Sequence, residues 1–131
     1  MNVADIQKRI KGMFPELIGM EFVAAGPDGV TAKLKVRPDL CTGGSILHGG
    51  AIMAFADTIG AVATILNIPP GAGTATLESK TNFFRPAPAG SEVTGKCTAL
   101  HKGKRTMTWQ TAVTTADGKL VAVVTQTQMV L

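Results

Sequence analysis

Tyrosine is absent from this 131-residue chain, and aromatic residues make up only 5% of it. No Lys/Arg run is interleaved with aromatics, so the stacking platform that single-stranded nucleic acid needs is missing and no nucleic-acid partner is expected. Charge is scarce as well: 17% of residues against about 25% in typical soluble domains. That leaves little polar surface for a monomer, and an oligomer is expected. The two cysteines, Cys41 and Cys97, are too few for a disulfide framework or a zinc site and read as reduced thiols. Thirteen basic and nine acidic residues give a net charge of +4, a mild excess that suits a small anionic ligand.

The N-terminus lacks the uninterrupted apolar core of a signal peptide, because Asp5, Lys8, Arg9 and Lys11 break it. A cytoplasmic location is the corresponding expectation. The length suits one domain spanning residues 1–131. The stretch from Gly49 to Leu66 is apolar enough to raise a membrane span. Asp57 at its centre and its Gly/Ala content argue instead for a buried helix of a protein that does not enter a membrane.

Along the chain, Val3, Ile6, Ile10 and Met13 fall at helical spacing and predict an amphipathic helix over Val3–Phe14 with Asn2 as cap. The segment "ELIGMEFVAAG" reads as a strand, and "PDG" after it as a turn. In the next strand Val30, Ala32, Leu34 and Val36 alternate with Thr31, Lys33, Lys35 and Arg37. A loop over Asp39–Leu47 leads into the apolar helix, which follows no single stripe and is expected to be buried nearly all round. Four more strands are predicted, at about Thr74–Phe84, Glu92–Leu100, Arg105–Thr115 and Lys119–Val130, joined by turn-like connections. One very apolar helix among hairpin-connected strands predicts a long antiparallel sheet curled round that helix, an α+β architecture whose remaining apolar faces require a second copy.

The segment "SILHGGAIMAFADTIGAVATIL" carries the chemistry. An unpaired ionised Asp57 among apolar residues costs several kcal/mol. Either it sits at an interface or cleft and acts on a ligand, or it is a structural acid paired with Arg or Lys or bonded to backbone amides. Gly49 and Gly50 fall at the predicted helix N-terminus, where free N–H groups and the positive dipole end suit a developing oxyanion. With a carboxylate as nucleophile or base, those are the two elements acyl transfer needs. Gly49 and Asp57 are eight residues apart, about 12 Å along a helix. One helix cannot bring both to one reacting centre, but two antiparallel helices from two subunits can. A composite site at a two-fold interface is expected.

"LHGGAIMAFADTIGAVA" and "NFFRPAPAGSEVTGKCTALHKGKR" resemble the pattern of hotdog-fold thioesterases of the phenylacetate-degradation type. That family has HGG at the start of the central helix, an acid nine residues after the His, then Arg-Pro and a Gly-Lys/Arg hairpin. The resemblance runs from about Glu16 to Leu131. It implies a hotdog fold and an acyl-coenzyme A thioesterase built as a homodimer that usually pairs into a homotetramer. No metal or bound cofactor is implied, coenzyme A being part of the substrate. Carried over, Asp57 is the nucleophile or general base, the Gly49 amide polarises the thioester carbonyl, and His48 orients that end of the helix. Thr76 falls where the family places a hydroxyl that helps hold the attacking water. Thr42 stands where the family often has Asn or Gln, and its hydroxyl is too short to reach as an amide would.

Around this centre Gly50 is read as a backbone contact to substrate. Lys102, Lys104 and Arg105 in the "HKGKR" turn, together with Arg85, are candidates for the cofactor's phosphates, though such clusters are also ordinary solvated surface. Met53, Phe55 and Phe83 line an acyl tunnel or pack in the core, and Trp109 reads as core. Three other classes stay open: a hotdog enoyl-CoA hydratase or dehydratase, a non-catalytic acyl-CoA binder, and a protein in which Asp57 only stabilises an oligomer.

Overall fold

The computed structural model describes residues 1–131. Six strands form one antiparallel sheet in the order β1-β2-β6-β7-β8-β5: β1 Glu21–Gly26, β2 Gly29–Lys35, β6 Glu92–Lys102, β7 Thr106–Thr115, β8 Leu120–Val130 and β5 Thr74–Phe83. The sheet wraps α3, Gly49–Ile65, which packs on β5, β8, β2, β7 and β6. This is the hotdog arrangement. No helix is long and apolar enough to cross a membrane.

The alternation expected for β2 holds. Val30, Ala32 and Leu34, with Val36 just beyond the strand, are all at most 1% exposed and form part of the floor under α3. Glycine supplies the closest approach. A Cβ on Gly95 of β6 would sit 2.6 Å from Ile59 Cδ1 and 2.8 Å from Phe55 Cε1, so the absent side chain is what lets α3 press onto the sheet there. Phe55 is therefore core and lines no tunnel. Trp109 is fully buried, and its indole N–H donates to Thr64 Oγ1 at 2.8 Å, which satisfies both polar groups inside the core.

Four expectations are corrected. The first helix stops at Arg9, not Phe14: Asn2 and Asp5 form a capping box at its start, and the chain turns at Gly12 with φ +74°. Pro15 sits in the first turn of a second short helix, α2, Phe14–Leu17, a position where its missing N–H costs nothing. The strand read from "ELIGMEFVAAG" accordingly begins only at Glu21, after a left-handed turn at Gly19. The Asp39–Leu47 loop is partly ordered by a 3₁₀ turn, Pro38–Leu40, and a two-residue hairpin of β3, Cys41–Thr42, and β4, Ile46–Leu47. Finally, α3 is not buried all round in the isolated chain. Ile52, Phe55, Ala56, Ile59, Gly60, Ala63 and Thr64 face the sheet, while Met53 is 41% exposed and Asp57 half-buried. The helix is apolar on a side that its own sheet does not reach.

Sheet regularity breaks at bulges. In β5 the pairing with β8 shifts between Thr76 and Glu78, making Leu77 the extra residue. Thr74 and Thr76 therefore share the α3-facing side with Ser79, Thr81 and Phe83, whose β8 partners Gln126, Val124 and Ala122 are fully buried.

Cys97 lies in the core, 1% exposed, and burial pushes its thiol up to about 11 from 9.0. The unfolded chain then releases this proton before the folded one does. The contribution is complete below pH 9 and is lost as pH rises towards 11, by about 3 kcal/mol at most. Urea denaturation from pH 8 to 11 is expected to show this decline in the wild type and a shallower one in Cys97→Ala.

Candidate functional site

The N-terminus of α3 is built by two loops. His48 N donates to Leu40 O, Leu47 N to Ala87 O and Ala89 N to Ser45 O, which ties the "TGGSILHGG" loop to the "RPAPAG" loop. His48 is the N-cap: its Nδ1 accepts the Gly50 N–H at 2.8 Å, and its carbonyl accepts from Ala51 and Ile52. As an acceptor, Nδ1 carries no proton, so the ring proton is on Nε2. The Gly50 amide is thus already used, which corrects its reading as a substrate contact. The Gly49 amide is left without a protein partner at the positive end of the helix.

Gly49 opens onto a groove of about 470 Å³ lined by Thr42, Ile46, Ile52, Phe83, Phe84 and Arg85, among others. A Cβ at Gly49 would lie 3.2 Å from Phe83 Cζ, so the absent side chain lets that ring sit close against the start of the helix. Thr42 is brought to this groove, and Phe83 forms a wall of it with half its surface exposed. Arg85 is on the rim, where its Nη1 donates to Leu120 O at 2.9 Å.

Asp57 lies two turns further along α3. It makes no ion pair. Thr76 Oγ1 donates to Asp57 Oδ1 at 2.7 Å, and Gln126 Nε2 reaches both Oδ1 and the Asp57 carbonyl at 3.2 Å. Oδ2 accepts no hydrogen bond. Behind Thr76, Gln128 Nε2 donates to Thr76 Oγ1 at 2.7 Å, and Thr74 Oγ1 lies 3.0 Å from Gln128 Oε1. Gly60, one turn beyond Asp57, makes room: a Cβ there would fall 2.4 Å from Gln126 Cδ. Gln126 Oε1 is buried without a partner, an unmet desolvation of about 1–3 kcal/mol. Neither glutamine was singled out from the sequence. The available signal was two amides at alternate positions, 126 and 128, in a strand whose other inward residues are apolar.

The basic turn is divided. Lys102 Nζ is taken by Asp28 Oδ1 and Pro27 O, both at 3.1 Å, where it clamps the β1–β2 turn. This corrects its reading as a free phosphate contact. Lys104 and Arg105 are exposed, and Lys104 lines a groove with Asn67, Ile68 and Pro69 at the far end of α3. Met53 projects from the uncovered side of α3. No three His, Cys, Asp or Glu side chains gather as a metal site.

The sequence matches the thioesterase superfamily over residues 44–122. The proofreading thioesterase EntH of Cronobacter turicensis is 29% identical over 108 residues, covering 82% of this chain and 78% of that one. A thioesterase of Haemophilus influenzae superposes with a TM-score of 0.94 at 27% identity, covering all of this chain and 91% of that one. The phenylacetic acid degradation protein PaaI of Thermus thermophilus gives 0.81 at 29% identity, over 88% of this chain and 96% of that one.

Replacing His48 by Ala removes the cap acceptor and frees the Gly50 amide. A loss of about 1 kcal/mol in urea denaturation is expected, without a change of fold by circular dichroism.

Proposed function

This chain belongs to the thioesterase superfamily and is a thioester hydrolase; from that premise we propose that its substrate is an acyl-coenzyme A and that Asp57 and the Gly49 amide are the reacting groups. The observation that carries this reading is the pairing of an unpartnered amide at a helix N-terminus, beside an apolar groove, with a carboxylate that has one oxygen bonded and one free. The first suits the oxyanion formed when a thioester carbonyl is attacked, the second suits the attack.

The two groups lie about 12 Å apart on one helix, so each completes a site with its counterpart on a second copy. The uncovered side of α3, with Met53 exposed, and the free sheet edge at β5 are where that copy fits. The homodimer then carries two composite sites, and a homotetramer is a further pairing of such dimers. The acyl group, a small aryl or a short or medium chain, lies in the seam between the two central helices, next to Met53 and Phe83.

In the reaction, Asp57 Oδ2 either attacks the thioester carbon, giving a mixed anhydride that water cleaves, or takes a proton from water as that water attacks. Both routes place negative charge on the carbonyl oxygen, where the Gly49 N–H receives it. Collapse expels the thiolate, and the products are the carboxylic acid and free coenzyme A. No other cofactor is needed. Thr76 holds the carboxylate and, in the second route, stands beside the water; Thr42 reaches the groove but is too short to grip that water as an amide would. Lys104, Arg105 and Arg85 are the cations available to the phosphates.

Asp57→Asn is expected to keep its circular dichroism and melting temperature and to lose thiol release from acyl-coenzyme A substrates by about 10²–10⁴-fold. Turnover equal to wild type in that variant removes Asp57 from the mechanism. Lys104→Glu with Arg105→Glu is expected to raise KM about tenfold and leave kcat unchanged, measured by the same thiol-release assay.

A further inference from the structure

Gln126 and Gln128 hold consecutive inward positions of β8, and both are fully buried. Two primary amides in a core strand oppose folding unless their polar atoms are matched. Gln126 is not fully matched, since its Oε1 has no partner. Turning its amide round would not help, because Oε1 would then face two oxygens of Asp57 in place of Nε2. Its orientation is dictated by Asp57, and the orphaned oxygen is the consequence.

Gln128 acts on the same carboxylate through one intermediary. Its Nε2 donates to Thr76 Oγ1, so that oxygen is an acceptor on one side and its single proton is directed to Asp57 Oδ1 on the other. Thr74 Oγ1 lies 3.0 Å from both Gln128 Oε1 and the Met129 carbonyl, and because the one Thr76 proton goes to the carboxylate, it is the Nε2 end of the Gln128 amide that must face Thr76. Two donors thus arrive at Oδ1, one from Gln126 and one from Thr76, and they match its two lone pairs.

We propose that Gln126 and Gln128 are positioning residues that select which oxygen of Asp57 reacts: by saturating Oδ1 and fixing the carboxylate plane, they leave Oδ2 as the reactive atom. This inference rests on the catalytic role of Asp57 given above. Neither glutamine lines the groove at Gly49 or the one at Lys104, so their effect falls on the chemical step and not on substrate binding.

The test measures kcat, KM and melting temperature for Gln126→Leu and Gln128→Leu beside wild type and Asp57→Asn, by thiol release from a panel of acyl-coenzyme A thioesters. Both leucine variants are expected to lose roughly ten- to a hundredfold in kcat with KM unchanged. The melting temperature of Gln126→Leu is expected to hold or rise, because an unmatched buried oxygen has been removed. Should Gln126→Leu fail to fold, Gln126→Met, unbranched and of the same length, carries the test with the same expected loss. Wild-type kcat in folded Gln126 and Gln128 variants overturns the inference, as does a loss confined to KM. If Asp57→Asn itself turns over like wild type, it is the functional reading that fails.

Discussion

An ionisable carboxylate sits on an apolar helix with no cation to meet it, and the surrounding structure is arranged around that constraint. Asp57 is met by a hydroxyl and an amide from the two strands at one end of the sheet, β5 and β8. Both donors are neutral, so the carboxylate is hydrogen-bonded through one oxygen and ion-paired through neither. The arrangement requires a glycine at position 60 for Gln126 to lie against the helix, and inward-facing amides where the strand would otherwise carry valine.

The N-terminal end of the same helix, two turns before Asp57, is organised by different means. There one backbone donor is left open in an otherwise satisfied cap. His48 takes up the second amide of the helix and leaves the first, and two loops tied together by backbone hydrogen bonds hold that amide beside the Phe83 ring. Both features are carried by α3, pressed onto the sheet where Gly95 has no side chain. The donor and the acid thus sit about 12 Å apart on one stiff rod, too far to meet each other.

Much of this was legible in the residues. The alternation of β2, the limits of the apolar helix and the order of the four following strands are local patterns, and the HGG motif with its spaced acid carried the resemblance to a thioesterase family. What was not legible depends on tertiary partners or single backbone angles. The break after Arg9 turns on one left-handed glycine within an otherwise continuous helical pattern. Lys102 could not be seen to face Asp28, 74 positions earlier in the chain. Periodicity in "VVTQTQMV" separates a threonine row from a glutamine row but does not say which row faces the helix, and so the amides behind Asp57 stayed hidden. The exposed side of α3 is likewise invisible to hydropathy, which registers an apolar surface and not what covers it.

Leu77 shows how narrow the margin is. It is the one surplus residue in β5, and it lets Thr76 on one side and Ser79, Thr81 and Phe83 on the other all look towards the helix. Losing that one codon would close the bulge and leave a regular strand with Thr76, Ser79, Thr81 and Phe83 still turned inward, whereas losing a residue anywhere else along it would carry everything beyond to the opposite face. A gene for this fold can therefore spare one residue along that edge, but only at that one place.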